Sequence, residues 1–170
     1  MSCAQTLAGI TRDCEPNMGG VKEVLLANFD DVESVTVSTN QISAITMASS
    51  AKFKKYTFKP ETASMTSTLN ADPKLNLSYI STELVLQFNK MDTQKRVEIG
   101  ALALGELVSI VKDMNDKYWY LGKDEPVLAT AGSGETGTAR GDKNAYGITL
   151  TDNAKEFPLE VDGDVISGLL

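Results

Sequence analysis

The sequence predicts a mainly β fold, a sandwich or barrel of antiparallel hairpins with one flanking α-helix. Apolar and polar residues alternate with a period of two in several short segments, and turn-forming residues separate those segments. Only one segment has helical spacing. A chain of 170 residues matches the usual size of one domain and can bury a core without disulfides or metals. We therefore predict a single domain over residues 1–170.

The first part of the chain predicts an irregular arm followed by short strands. Pro16 and the pair Gly19-Gly20 interrupt regular structure, so residues 1–20 are expected to form an irregular N-terminal arm. A strand is predicted over 21–28. Alternation around Val35 predicts the next strand, and after a turn at Asn40 the segment 42–47 returns.

The middle of the chain predicts a long bent hairpin over residues 56–89. From Thr62 to Asn70 every even position is Thr, Ser or Asn, whereas the odd positions are mostly apolar. The returning strand starts with apolar residues at odd positions and ends with them at even positions, which predicts a β-bulge between Ile80 and Glu83. A hairpin of this length needs other strands or another subunit to cover it.

The second half predicts the single helix and two further hairpins. The helix spans about 92–104, with Asp92 or Thr93 as its N-cap and Val97, Ala101 and Leu104 as its packing stripe. Strands over 107–113 and 117–122 form one hairpin. Residues 130–144 are rich in Gly and Thr and are expected to be a loop, and a last hairpin alternates over 145–161 around a turn at Asp152-Asn153.

Composition argues against several classes of function. The chain has no histidine, which excludes Ser-His-Asp and Cys-His nucleophile systems. Cys3 and Cys14 are too few for a disulfide framework or a zinc site. A net charge of −7 is unfavourable for general DNA binding. We predict that the protein is not an enzyme and has no cofactor, catalytic residue or metal.

The ends and apolar segments of the sequence bear on location. No apolar stretch reaches the roughly 18 residues that a membrane helix needs, and the first residues lack the features of a signal peptide. We expect synthesis in a cytoplasm and no membrane partner.

Four short sequence features have simpler explanations than the functions they suggest. The segment 132–137 has the G-x-G-x-x-G spacing, but no helix follows to hold a pyrophosphate, so a glycine loop is expected. Arg140-Gly141-Asp142 is expected to be a turn, and the acidic residues near the C-terminal end of the sequence a solvated turn. Trp119 lies between two tyrosines in a predicted strand, which favours core packing or a subunit interface over ligand stacking.

Residues 107–161 carry a resemblance to structural tail proteins of phages and prophages, especially those of Bacteroides-type hosts. The similarity lies in the hairpin that closes on KYWYLG, the Gly/Thr loop, the segment GDKNAY and the final hairpin through Pro158 and Val161. The architecture also suits tail tube proteins. The resemblance implies a β-sandwich with one helix, whose long hairpins join neighbours into a continuous β-barrel around a DNA channel, in six-fold rings that stack.

The function implied by this resemblance is that of a virion structural protein of the tail tube, made in the host cytoplasm and located in the virion tail. Its partners would be copies of itself, other tail proteins, and DNA that passes during ejection without specific binding. The alternatives are another virion component (a head–tail connector, neck or decoration protein) or a soluble β-sandwich binding module. The candidate lumen-facing residues are Thr62, Ser64, Thr66 and Thr68; the candidate packing or interface residues are Met65, Leu69, Trp119 and Tyr120.

Overall fold

A computed structural model describes residues 7–170 and has a mainly β architecture of two sheets, which confirms the predicted fold class. Two α-helices and one short 3-10 helix at Phe29–Asp31 accompany the strands. The strands are β1 Val21–Asn28, β2 Val32–Ser38, β3 Gln41–Met47, β4 Lys54–Thr57, β5 Ala63–Asp72, β6 Leu77–Asn89, β7 Leu107–Asp113, β8 Tyr118–Leu121, β9 Leu128–Glu135, β10 Ala145–Ala154 and β11 Leu159–Val161; the helices are α1 Thr93–Leu104 and α2 Gly163–Leu169.

The larger sheet has seven strands in the order β2-β3-β11-β8-β7-β1-β4. All its pairs are antiparallel except β3 with β11. Successive residues of β1 enter different hydrophobic cores, because alternate side chains of a strand point to opposite faces. Val24 and Leu26 belong to the core between the sheets, and Leu25 belongs to a second core on the far face. The centre of this sheet is therefore buried on both faces.

Helix α2 covers part of the far face and corrects the prediction of a single helix. Asp162 caps it by accepting a hydrogen bond from the backbone N–H of Asp164, and Ile166 and Leu169 enter the second core. The segment has only seven residues, two of them glycines at positions 163 and 168, so helical spacing was too short to detect.

The smaller sheet has four strands in the order β5-β6-β10-β9, all antiparallel. Its inner face packs on the larger sheet through residues such as Leu84, Leu86 and Leu150. Two sequence predictions are wrong here. The segment 130–144 is not wholly loop, because β9 extends to Glu135, and β10 continues through the predicted turn at Asp152-Asn153 to Ala154.

The hairpin β5–β6 has an unbroken register from Ala63 opposite Leu86 to Asp72 opposite Leu77. The predicted bulge between Ile80 and Glu83 is therefore absent. Even positions of β6 point into the core from Ile80 to Phe88, so the odd positions, including Leu77 and Tyr79, lie on the opposite, exposed face. An apolar run on the outer face, not an inserted residue, explains the change of parity in the sequence.

Helix α1 begins where the sequence predicted. The Asp92 carboxylate accepts a hydrogen bond from the backbone N–H of Lys95 at 2.8 Å, which confirms Asp92 as the N-cap. The predicted packing stripe is wrong, because Ile99 and Leu102 face the core. The predicted stripe is on the solvent side, where Leu104 is 92% exposed.

Residues 7–20 contain neither helix nor strand. Their last residues are hydrogen-bonded to the turn between β7 and β8, where the Asn115 side chain accepts a hydrogen bond from the backbone N–H of Met18 and donates one to the Asn17 side chain. Cys14 is an exposed free thiol. Cys3 and the rest of the predicted arm before residue 7 lie outside the described residues.

Candidate assembly surface

The outer face of the smaller sheet is the side turned away from the larger sheet, and hydroxyl groups dominate it. Neither hydrophobic core of residues 7–170 includes a side chain from this face. Thr130 and Thr151 join β9 to β10 there through a 2.8 Å contact between their hydroxyl oxygens. Thr130 lies at the β-bulge of β9, and this contact places it on the outer face, where strand parity and register place seven further hydroxyl side chains: Ser64, Thr66, Thr68, Ser81, Ser133, Thr149 and Thr151.

The four strands of this sheet contain no lysine or arginine, so all 16 cationic side chains of the chain lie elsewhere. Parity also places three carboxylates on the outer face, those of Asp72, Glu83 and Glu135. The Glu135 carboxylate pairs with the Nζ of Lys143, in the loop after β9, at 2.7 Å. Phosphate groups bind proteins mainly through Lys and Arg, so these strands offer DNA no cation of their own.

Both edges of the smaller sheet are open. The Thr62 carbonyl accepts a hydrogen bond from the Gln87 N–H at 2.9 Å. Because backbone groups of alternate residues point to opposite sides of a strand, the even-numbered residues of β5 hydrogen-bond to β6. The N–H and C=O groups of Met65, Ser67 and Leu69 therefore point away from β6 into the open edge. At the other end of the sheet, every β9 residue except Ala129 is exposed.

The tip of the hairpin extends beyond the rest of the sheet. Strand β10 pairs with β6 only from Ile80 onward, so the residues between 70 and 79 have no partner strand other than each other. Several large apolar side chains are exposed there: Leu75, Leu77 and Tyr79 lie on the projecting part, and Leu69 lies at its base. An exposed apolar tip of this kind is typical of a surface that contacts another molecule.

The predicted lumen residues divide into two groups. Ser64, Thr66 and Thr68 lie exposed on the outer face, as their alternation predicted. Thr62 is in the turn before β5, and its hydroxyl donates to the Lys59 carbonyl at 2.7 Å. It therefore does not share the strand geometry of the other three.

The predicted packing residues lie in three different environments. Met65 is half-buried against the core between the sheets, whereas Leu69 is 53% exposed at the base of the projecting part of the hairpin. Trp119 packs on the same core as Met65, and its Nε1 donates to the Asp113 carboxylate at 3.0 Å. Tyr120 is buried in the second core. The structure therefore does not bring these four residues together.

A buried polar pair and a buried carboxylate were missed by sequence reasoning. The hydroxyl oxygens of Ser67 and Thr82 are 2.8 Å apart on the inner face. Opposite Thr82 in the ladder, Asp152 is 4% exposed. Burial raises the pKa of Asp152, the nearby Asp124 and Glu125 raise it further, and the backbone amide of Gly122 opposes them. The sequence did contain a signal for the burial of Asp152: Ile148 and Leu150 occupy the preceding even positions of the same strand and are apolar.

A groove of about 680 Å³ lies between β4 and α1. Its walls combine aromatic and apolar side chains with lysines, and the Tyr56 hydroxyl donates a hydrogen bond to Glu98 across it. Burial and Glu98 raise the pKa of Tyr56 above its usual value.

Residues 7–170 contain no cluster of three or more Cys, Asp or Glu side chains arranged to hold a metal ion. Within the same residues, no helix combines the length and apolar character needed to cross a bilayer. No protein-family model, curated protein or solved structure matches the chain.

Proposed function

We propose that this protein is a virion structural protein that assembles with copies of itself into stacked rings and forms a phage tail tube through which DNA passes. One observation carries the proposal: a four-stranded sheet that is open at both edges has a bare outer face and no lysine or arginine in its strands.

Ring closure follows from joining the two open edges. The strands alternate in direction across the sheet, so β5 and β9 run in opposite directions. When copies stand side by side in the same orientation, β5 of one meets β9 of the next as an antiparallel pair, like the other pairs of the sheet. This head-to-tail contact repeats until the sheets close into one barrel, which leaves no exposed edge in it.

The outer face of the sheet would line the channel of such a barrel, because the larger sheet already covers the inner face. Hydroxyl groups keep this face hydrated without attracting phosphates as lysine or arginine would. The carboxylate of Glu83, which forms no ion pair within residues 7–170, adds short-range repulsion. DNA would then move through the channel without being held by ion pairs.

The projecting hairpin tip supplies a contact along the tube axis. Strands of a barrel run at a tilt to its axis, so a hairpin longer than its neighbours reaches past the ring. Burial of Leu75 and Leu77 against the next ring would stabilise the stack by removing apolar surface from water. Ring stacking by one repeated contact gives an open-ended filament, as a tube requires.

Electron microscopy of the concentrated, purified protein tests the proposal. We expect rings and hollow filaments. Single rings that never stack would favour a connector, neck or decoration protein, and a monomer at high concentration would favour a soluble binding module; either outcome contradicts a tail tube.

A substitution at Leu69 tests the edge contact itself. Leu69→Pro removes an N–H that points into the open edge of β5 and leaves the ladder with β6 intact, so it should abolish ring formation. Leu69→Thr changes the same side chain but keeps the N–H, and should still assemble. Circular dichroism and thermal unfolding of both variants check that the subunit folds. Normal tubes from a folded Leu69→Pro variant would disprove edge-to-edge pairing through β5.

A further inference from the structure

The larger sheet also has an open edge, at β4. Strand β4 is the last strand of that sheet and bonds to β1 alone, with Lys54 opposite Leu26 and Thr57 opposite Glu23. Ring closure through β5 and β9 would leave this edge unused. An exposed edge with free N–H and C=O groups is a template for one more strand.

The groove beside this edge has the properties of a peptide-binding surface. Tyr56, Phe88 and Ile99 give it an apolar floor next to the open strand. The segment 51–59 has four lysines and no carboxylate, and three of these lysines, Lys52, Lys54 and Lys59, form no ion pair within residues 7–170. Asp92 and Glu98 also line the groove, so in a bound extended segment the floor favours apolar side chains and the lysines of the β4 segment favour acidic ones.

The N-terminal arm of the same chain is such a segment. Leu7 and Ile10 are fully exposed, and residues 7–16 make no hydrogen bond to the rest of the described chain. Asp13 and Glu15 supply the acidic side chains. Extended backbone spans about 3.3–3.6 Å per residue, so ten residues reach roughly 33–36 Å. The arm is long enough to reach a neighbouring subunit.

The attachment of the arm directs it away from its own groove. Asn115, which holds Asn17 and Met18, follows β7. In the sheet order, β7 lies on one side of β1 and β4 lies on the other. The arm thus leaves the body on the side opposite β4, and the β4 edge of another copy is the natural acceptor.

We propose that the N-terminal arm of one copy adds as a strand to the β4 edge of a second copy, with Ile10 in the groove between β4 and α1. Gly9 has a φ of +73°, the conformation of a glycine in a β-bulge, and a bulge there places Leu7 on the same face as Ile10. Asp13 and Glu15 then lie near the lysines of the β4 segment. This contact rests on the assembly proposed above for the presence of a neighbouring copy.

Cysteine cross-linking tests the contact, with the native Cys14 as the probe. Cys3 is replaced by Ser, and one new cysteine replaces a lysine on either side of β4. Cys14 is four residues beyond Ile10, so Lys52→Cys reports an antiparallel added strand and Lys59→Cys a parallel one. Under mild oxidation with oxidised glutathione, at the protein concentration used for microscopy, one of the two should give a ladder of disulfide-linked dimers, trimers and longer chains. A ladder is expected because every copy offers one arm and one β4 edge.

Two controls make the result specific. Lys155→Cys places a cysteine at another exposed lysine, remote from β4 in the fold, and should give no ladder. Adding Ile10→Asp to the reactive variant should abolish the ladder, because a charge cannot enter the apolar groove. No ladder from position 52 or 59, an equal ladder from position 155, or an intramolecular disulfide would overturn the inference.

The two proposals fail in different ways. Tubes in the microscope without a cross-linked ladder would leave the tail-tube proposal standing and remove only the arm contact. A specific ladder without rings or filaments would support the arm contact and contradict the tube.

Discussion

The two sheets of this protein differ in how completely they are covered. In the seven-stranded sheet, the first five residues of β7 are all buried, because the two hydrophobic cores lie on its opposite faces. In the four-stranded sheet, burial of β6 alternates, and the side chains that point outward, such as Val85, are exposed. The centre of the larger sheet is covered on both faces within one subunit, whereas the smaller sheet is covered on one face only.

Charge separates the sheets in the same way. The larger sheet has lysines on several strands, including Lys22 on β1 and Lys112 on β7, and both pair with Asp116. The smaller sheet has no cationic residue in any strand. A sheet that remains open to water but avoids cations is suited to face a polyanion without binding it. We infer that the centre of the larger sheet supplies most of the core of the subunit, whereas the outer face and the edges of the smaller sheet would serve the proposed ring.

The largest difference in stability between the two sheets is expected from one alanine substitution in each sheet. Ile110 is fully buried in β7, so Ile110→Ala should lower the free energy of unfolding by about 2–5 kcal/mol. Val85 is 41% exposed on the outer face, and Val85→Ala should change it by less than about 0.5 kcal/mol. Urea unfolding of the unassembled subunit measures both. Equal losses at the two positions would contradict the contrast in burial.

A smaller, pH-dependent effect is expected at Asp152, the one carboxylate buried on the inner face of the smaller sheet. Its pKa is raised by burial, so the folded state binds its proton more tightly than the unfolded state does. Stability from this group is full in acid and is lost as the pH rises from the unfolded-state pKa through the raised folded-state pKa. Asp152→Asn removes that loss, so the variant should be more stable than the parent protein at neutral pH, and its advantage should shrink in acid.

Asp116 provides the opposite control for this pH experiment. Lys22 and Lys112 lower its pKa, so its contribution is present at neutral pH and is lost as the pH falls through the lowered value. Asp116→Asn should therefore weaken the protein at neutral pH and match the parent in acid. Thermal unfolding across the acid to neutral range measures both variants. The same pH trend in both would disprove the assignment of Asp152 as a buried carboxylate.

Local patterns predicted much of the larger sheet and the cap of α1. Strand β1 has the predicted bounds, the β7–β8 hairpin is where its turn residues placed it, and Asp92 caps α1. Each of these rests on residues close together in sequence, where turn chemistry and strand alternation act directly. Alternation also placed Ser64, Thr66 and Thr68 on one exposed face.

Features that depend on tertiary contacts were not predictable in the same way. The glycines at 132 and 134 interrupt the alternation of apolar and polar residues, so the sequence does not predict β9. The strand forms because its backbone hydrogen-bonds to β10. Helix α1 has two apolar stripes at helical spacing, and only the packed structure selects Leu102 over Leu104 for burial. The wrong prediction of a bulge in β6 has the same cause, because it assumed that Leu77 faces the core. The errors at α1 and at the absent bulge both concern apolar side chains that a single subunit leaves exposed, and one of these, Leu77, lies on the hairpin tip proposed for ring stacking.

The smallest effect concerns one buried hydroxyl in the larger sheet. Ser109 is fully buried in β7, and its Oγ has no hydrogen-bond partner within the described part of the protein. The buried Thr82 hydroxyl of the smaller sheet, in contrast, is paired with Ser67. An unpaired buried hydroxyl is costly, so Ser109→Ala should leave stability unchanged or raise it by up to about 1 kcal/mol. Ser64→Ala, on the wet outer face, is the control and should change stability by less than about 0.5 kcal/mol. A clear loss of stability in Ser109→Ala would reveal a partner for this hydroxyl, such as a bound water, and would mean that the larger sheet is as fully hydrogen-bonded inside as the smaller one.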